Sequence, residues 1–128
     1  MDYGPSLGRR FRALKLWMVI RTYGVEGMAS RIRRHVKLAR MFAGWIEDAP
    51  DWELMAPMIM GTVLFRHKSD EPNNQRILNS INTNGHAFLT HTRINNRIAL
   101  RLSIGNIKTT EQDLTKTWTL LRKFAAEY

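Results

Sequence analysis

The chain has 128 residues, a length that fits one domain with a modest hydrophobic core. Hydrophobic residues make up 44% of the chain and charged residues 24%, which is ordinary globular usage and excludes a disordered or low-complexity chain. The absence of cysteine excludes disulfides, thiolate nucleophiles, cysteine-ligated zinc and iron–sulfur clusters.

The net charge of +9 is unevenly distributed along the chain. Residues 1–40 carry ten Lys and Arg against two acidic residues, a balance of +8, whereas residues 41–128 carry ten against nine, a balance of +1. Such asymmetry is typical of a surface that meets nucleic acid, a membrane or another protein. The longest uncharged run, Leu54 to Phe65, has 12 residues, short of the roughly 20 that span a bilayer. The N-terminus also lacks the layout of a signal peptide, so we expect a cytoplasmic protein with no membrane partner.

The first predicted helix spans Ser6 to Tyr23, because Pro5 and Gly24 flank it and one of its faces is apolar. Four residues form this apolar stripe, which we expect to face the core: Leu7, Phe11, Leu14 and Met18. Leu16, Val19 and Ile20 point away from the stripe, so the second half of the helix is apolar nearly all round. Such a helix is normally buried on more than one side.

The second predicted helix, about Val25 to Glu47, is amphipathic and should end before Pro50. Its apolar face consists of Val25, Met28, Ala29, Ile32, Val36, Ala39, Phe42, Ala43 and Ile46. Its basic face consists of Arg33, Arg34, Lys37 and Arg40. We interpret the basic face as solvated or partner-facing, because no aromatic residues are interleaved with it and no nucleic-acid-binding module fits the order of elements.

The remainder of the chain alternates strands and helices. Strands are predicted at Glu53–Ala56 and Ile59–Arg66, with Pro57 at a bulge or an edge. A short helix follows the turn at 69–72 and ends at Gly85. A hairpin then joins His86–Thr92 to Arg97–Ile104 through two asparagines that tolerate positive φ. In its second strand we expect one face to be buried and the other solvated, as follows: Ile98, Leu100, Leu102 and Ile104 buried; Ala99, Arg101 and Ser103 solvated.

The last predicted helix starts at Thr109 or Thr110, with Asp113 completing a capping-box-like pair, and runs to the end of the chain. Its inward residues should be Leu114, Trp118, Leu121, Ala125 and Tyr128. The element order α-α-β-β-α-β-β-α predicts an α+β fold, an antiparallel sheet of about four strands with helices packed on one face. Because the hairpin, the second helix and the capped last helix each have an apolar face, we expect the chain to fold alone.

Site chemistry alone points to no catalytic, cofactor-binding or metal-binding residue. Lys68 follows His67 at a strand end that should be solvated, without the desolvation that activates an amine. His86 and His91 are five apart on one predicted strand, so they should lie on opposite faces and cannot share a metal. Paired carboxylates, HExxH, a glycine-rich phosphate loop and GxSxG are all absent from the sequence.

Several segments, in collinear order, resemble the C-terminal part of group II pyridoxal-phosphate-dependent amino-acid decarboxylases. The opening segment, residues 3–17 (YGPSLGRRFRALKLW), carries the strongest likeness. The others are residues 21–27 (RTYGVEG), 33–39 (RRHVKLA), 62–66 (TVLFR), 81–85 (INTNG), 100–106 (LRLSIGN) and 109–114 (TTEQDL). The family includes the aromatic-L-amino-acid, histidine and glutamate-type decarboxylases.

The resemblance implies the small domain of a fold-type I enzyme. In that family a large α/β domain precedes this region and supplies the lysine, aspartate and histidine that hold pyridoxal 5'-phosphate, so we expect no cofactor bound to this chain alone. Residues 1–24 would then be a helix connecting the two domains and residues 25–128 the small domain. The expected partners are the large domain and a second copy in a homodimer. The interdomain interface would comprise Leu7, Arg9, Arg10, Phe11, Leu16, Trp17, Val19 and Ile20.

An alternative function is a free-standing basic module that binds nucleic acid or an acidic protein. Unlike the small domain of a decarboxylase, such a module would need no large domain. If the large domain is absent, the apolar surface of the first helix should be bare, and we then expect self-association through it.

Overall fold

The computed structural model describes residues 11–127. The helices and strands of this part of the chain are α1 (Arg12–Glu47), β1 (Trp52–Leu54), β2 (Thr62–His67), α2 (Glu71–Asn84), β3 (Thr90–Ile94), β4 (Arg97–Ser103) and α3 (Glu111–Ala126). Within the described residues, no helix is long and apolar enough to cross a membrane.

Helix α1 contains the first predicted helix from Arg12 onward and all of the second, and the two meet at Gly24; residues 6–10 of the first predicted helix lie outside the described residues. This glycine has a non-helical backbone (φ 66°, ψ 174°), a conformation that residues with a Cβ rarely adopt. The predicted break between Tyr23 and Val25 is therefore confirmed. The chain forms two compact units, Met1–Arg31 and Ile32–Tyr128.

The four strands form one antiparallel sheet in the order β1-β2-β4-β3. The hairpin between β3 and β4 turns at Asn95 and Asn96, whose φ angles of 50° and 62° confirm the predicted tight turn. In β2 and β4 the register pairs Val63 with Leu102 and Phe65 with Leu100, so these four apolar side chains share one face of the sheet. The predicted α+β class with a four-stranded antiparallel sheet is confirmed.

The core of the second unit lies between this face of the sheet and the helices. Helix side chains in it include Leu38, Phe42 and Ile46 from α1, Ile77 and Ile81 from α2, and Leu114 and Leu121 from α3. Phe42 is fully buried at its centre, with its ring 5.4 Å from Phe65 and 5.9 Å from Trp118 between centroids. These edge-to-face contacts tie α1, β2 and α3 together.

The ends of the two later helices follow the predicted capping chemistry. The Asp70 side chain accepts a hydrogen bond from the N–H of Asn73 at the start of α2, and Gly85 ends the helix at a φ of 82°. At the start of α3 the Thr110 hydroxyl and the Asp113 carboxylate bond each other's backbone N–H groups, which confirms the capping box.

Several strand limits differ from the predicted ones. Strand β2 begins at Thr62 rather than Ile59, because Met60 adopts a φ of 54° and Ile59 forms only an isolated bridge to Thr62. Pro57 precedes that turn and lies outside the strands. Strand β1 covers Trp52–Leu54 rather than Glu53–Ala56.

Strand β3 begins at Thr90 rather than His86, because the preceding segment is bonded to α2. The Asn82 side chain accepts from the N–H of Leu89 at 2.8 Å and donates to its carbonyl at 2.9 Å. Ala99 was expected to be solvated but is buried, as β4 is a central strand and a methyl group projects little beyond it. Arg101 and Ser103 on the same face are exposed as predicted.

The expectation that the stripe of the first helix faces the core is wrong for its described members. Phe11, Leu14 and Met18 are all exposed, and Leu7 lies outside the described residues. On the second helical segment the apolar face is buried only from Leu38 onward, whereas Val25 and Ile32 are exposed. Helical periodicity therefore predicted which side of the helix is apolar, but it did not predict how much of that side the core buries.

Candidate interdomain interface

The N-terminal part of α1 exposes apolar side chains all around the helix. Of the predicted interface residues, five are described and all five are exposed: Phe11, Leu16, Trp17, Val19 and Ile20. Leu7, Arg9 and Arg10 lie outside the described residues. Trp17 is 57% exposed, which is unusual for so large an apolar side chain unless a partner covers it.

Local contacts within this unit order the aromatic side chains. The Arg21 guanidinium lies 5.8 Å from the centre of the Trp17 ring, and the Arg31 guanidinium lies 4.0 Å from that of Tyr23. Cations over aromatic faces are attracted by the ring quadrupole. The Trp17 ring is therefore positioned on the surface by its neighbour one helical turn away.

The basic face of the second helical segment is exposed as predicted. One of its four side chains has a described hydrogen bond, from the Arg34 guanidinium to the carbonyl of Thr109 at 3.1 Å. This contact joins α1 to the loop before α3. At least part of the basic face therefore has a structural role within the second unit.

The His67-Lys68 pair lies at the end of β2, as predicted. Lys68 is exposed, and its ammonium donates to the carbonyl of Pro50. The His67 ring nitrogen Nδ1 accepts from the N–H of Ser69 at 3.3 Å, which places the proton of the neutral ring on Nε2. Burial lowers the pKa of His67, an effect that nearby Asp51 opposes and Arg66 reinforces. The lysine at this position lacks the desolvated surroundings of an aldimine-forming amine.

The other histidines do not converge. His91 lies on β3 and is exposed, whereas His86 precedes the strand, so the prediction that both lie on one strand is wrong. The cause is the bonding of the preceding segment to α2, described above. Among residues 11–127, no group of three or more His, Asp and Glu side chains is placed to hold a metal ion.

A buried ion-pair cluster that the sequence did not reveal centres on Arg66. Its side chain is 6% exposed, and its guanidinium donates to the Glu71 carboxylate at 3.0 Å and to the carbonyls of His67 and Ser69. Glu53 lies 3.7 Å away on the neighbouring strand. Because the guanidinium is so fully bonded, we assign this cluster a structural role at the junction of β2 and α2.

Comparison with known proteins places the chain in a family. Residues 1–68 match the conserved domain of pyridoxal-dependent decarboxylases. The match covers more than half of the chain, and the chain belongs to this family. The comparisons give no support to a free-standing basic binding module.

Individual relatives extend the match to nearly the whole chain. Phenylacetaldehyde synthase of Arabidopsis thaliana is 37% identical over 132 aligned residues, covering 98% of this chain and 27% of the relative. Aromatic-L-amino-acid decarboxylase of Drosophila melanogaster is 41% identical, covering 88% of this chain and 22% of the relative. The structure of Catharanthus roseus tryptophan decarboxylase in complex with L-tryptophan superposes with a TM-score of 0.84 at 34% identity, covering 96% of this chain and 28% of that one. The chain therefore spans about a quarter of the length of the relatives it matches.

Proposed function

We propose that this chain is the C-terminal small domain of a pyridoxal-phosphate-dependent amino-acid decarboxylase. In this proposal residues 1–24 connect it to a large domain and residues 25–128 form the small domain, which braces the large domain and supports a homodimer. The observation that carries the proposal is the coverage: nearly all of this chain aligns with about a quarter of each relative. The exposed apolar helix supports it, because a missing body would cover that surface.

The residues of this chain do not fit the cofactor by themselves. Pyridoxal phosphate supplies an electron sink for decarboxylation and needs a desolvated lysine and a partner for its pyridinium nitrogen. All six lysines of the chain, at positions 15, 37, 68, 108, 116 and 123, are exposed. We therefore propose that the chain alone neither binds the cofactor specifically nor decarboxylates amino acids.

The size of the native protein tests the proposal directly. An antibody raised against this chain should detect, in extracts of the source cells, a protein roughly four times its length, since the chain covers 27% of its relative. The transcript should extend upstream through an Asn-x-x-x-His-Lys stretch. A native product of only 128 residues, from a gene with no upstream coding sequence, would contradict the proposal.

Without the large domain, the isolated chain should self-associate through the N-terminal part of α1. We expect light scattering to show a dimer, the commonest closed assembly, whose stability tolerates high salt because the contacts are apolar. Replacing Trp17 and Ile20 together by Asp should give a monomer. Replacing Phe88, which is 78% exposed and is not one of the predicted interface residues, by Asp should leave the dimer intact. A parent chain that is monomeric at high concentration would show that the interface is misplaced.

A further inference from the structure

Three side chains at the junction of β2 and α2 form a chain of hydrogen bonds that ends on a titratable ring. The amide Nδ2 of Asn73 donates to the Ser69 hydroxyl oxygen at 2.8 Å, and this oxygen lies 2.8 Å from Nδ1 of His67. Nδ1 also accepts from the N–H of Ser69 at 3.3 Å, so in the neutral ring it carries no proton. The Ser69 hydroxyl therefore donates to His67, and the direction of donation runs from Asn73 through Ser69 to His67.

The Asn73 amide uses only one of its two ends. Its oxygen Oδ1 is buried, and no described donor reaches it. A rotation of the amide by 180° would bring Oδ1 to the position where Nδ2 now contacts Ser69, and it would break no hydrogen bond of the oxygen. In that orientation the amide accepts from the Ser69 hydroxyl instead of donating to it. Each orientation keeps one hydrogen bond to Ser69, so the two orientations are closely matched.

The backbone around these side chains is held by separate contacts. The buried Asn74 side chain accepts from the N–H of His67 at 2.9 Å and donates to its carbonyl at 3.0 Å. The Arg66 guanidinium donates to the carbonyl of Ser69. None of these bonds involves the imidazole, the hydroxyl or the Asn73 amide. The three side chains can therefore rearrange while the end of β2 stays attached to α2.

The ring of His67 is half-buried and lies within a set of charged groups. Its centre is 5.1 Å from that of the Trp52 ring, and it lines a hollow of about 310 Å³, through which water reaches it, together with Arg122 of α3. Burial lowers the pKa of the ring, an effect that Asp51 opposes and Arg66 reinforces. The other charged side chains at this junction have partners elsewhere: Lys68 the carbonyl of Pro50, Asp70 the N–H of Asn73, and Glu71 the Arg66 guanidinium. Both described partners of Nδ1 belong to Ser69.

We propose that His67, Ser69 and Asn73 form a proton-driven switch, in which the chain of hydrogen bonds reverses its direction when the ring takes up a second proton. A proton on Nδ1 makes this atom a donor, so the Ser69 oxygen must accept from it. The Ser69 hydroxyl then donates to Oδ1 of Asn73, whose amide rotates. The N–H of Ser69 loses its acceptor at the same time. Protonation at the end of β2 is thereby transmitted to the first turn of α2, and this switch does not depend on the proposed function.

Nuclear magnetic resonance of the full chain tests the coupling without any substitution. In a pH titration, the side-chain amide resonances of Asn73 should shift with the same midpoint as the ring of His67, because one proton drives both changes. The amide of Asn79 is the reference, since it lies exposed on the same helix and accepts from the Gln75 side chain at 3.1 Å. Its resonances should not follow His67. An Asn73 amide that stays constant while His67 titrates would overturn the proposal.

A substitution at Asn73 should lock the reversed direction. Asn73→Asp keeps the size of the side chain but leaves only acceptor oxygens, so the Ser69 hydroxyl donates to it in every state. The midpoint of the His67 titration should therefore rise by about one pH unit or more. Asn79→Asp adds the same charge at an exposed position of the same helix and should raise the midpoint much less. Equal shifts in the two variants would contradict the switch.

Removing the middle link separates hydrogen-bond coupling from simple proximity of charge. In Ser69→Ala the Asn73 amide should no longer follow His67, and adding Asn73→Asp should raise the His67 midpoint no more than Asn79→Asp does. The backbone carbonyl that Arg66 contacts is retained in this variant. An Asn73 amide that still follows the ring without the hydroxyl would show that Ser69 is not the link and would overturn the proposal. The titrations of the parent chain and of Ser69→Ala decide the question even where Asn73→Asp does not fold.

Discussion

Glu71 provides the sharpest test of the packing of β2, β4 and α2. It is the first residue of α2, and its carboxylate accepts from the Arg66 guanidinium at 3.0 Å and from the N–H of Ile98 at 2.8 Å. One side chain thus satisfies a buried cation and the backbone of a strand. Glu111 occupies the same first position in α3 but has no described side-chain partner. The two residues form a matched pair for Glu71→Ala and Glu111→Ala.

The expected cost of Glu71→Ala follows from these contacts. Hydrogen bonds to charged groups contribute about 1.5 to 3 kcal/mol each, and two are lost. The Glu71 side chain is 39% exposed, and Arg66 retains its bonds to the carbonyls of His67 and Ser69. Both facts reduce the loss, and we expect a decrease of about 2 to 3 kcal/mol in the free energy of unfolding. Glu111→Ala should remove only a helix-dipole interaction, below about 1 kcal/mol.

Urea unfolding followed by circular dichroism would measure both values. For a chain of this length, the midpoint of thermal unfolding should fall by about 3 to 5 °C for each kcal/mol. A double-mutant cycle with Arg66→Met should show a coupling energy between Arg66 and Glu71. Equal losses in Glu71→Ala and Glu111→Ala would mean that the cluster contributes nothing beyond the position in the helix, and would refute the reasoning.

Three further predictions concern the core, the pH dependence and the hairpin. Phe42→Ala should lower the free energy of unfolding by about 3 to 5 kcal/mol, because it opens a cavity beneath Trp45 and Trp118. Phe88→Ala, at an exposed site, should change it by less than about 0.5 kcal/mol. Equal effects of the two substitutions would show that Phe42 is not at the centre of the core. Burial lowers the pKa of His67 below its usual 6.5 in the folded chain, so at a pH between the two values the unfolded chain binds more protons than the folded one. The free energy of unfolding should therefore decrease as the pH falls from 6.5 through the lowered pKa. His67→Gln should flatten this decrease in unfolding experiments across the range, and an unchanged profile would contradict the assignment. Asn96→Gly should stabilise the hairpin by about 0.5 kcal/mol, since glycine adopts the positive φ of this position without strain. A loss of stability in thermal unfolding would show that contacts of the asparagine side chain outweigh the relief of backbone strain.

Local sequence patterns determined much of the fold. The break at Gly24, the turn at Asn95 and Asn96 and the Thr110–Asp113 capping box were all predicted correctly. In each case a residue's own φ preference or a side chain within three positions decides the geometry. The alternation along β4 likewise predicted which face of the sheet is buried, with Ala99 as the exception.

Other features depended on contacts between residues distant in sequence. The start of β3 was misplaced because the Asn82 side chain binds Leu89 seven residues away, and the Arg66 cluster joins β1, β2, α2 and β4. The fold also brings Trp118 beside Trp52, a proximity that no periodicity indicates.

The apolar N-terminal helix shows both what the sequence alone predicts and what depends on tertiary contacts. Its sequence showed that apolar residues surround it, and its resemblance pointed to the decarboxylase family that the comparisons then established. Only the tertiary structure showed that Phe11, Leu14 and Met18 are exposed. Periodicity identifies which side of a helix is apolar, but burial depends on which surfaces the rest of the folded molecule provides.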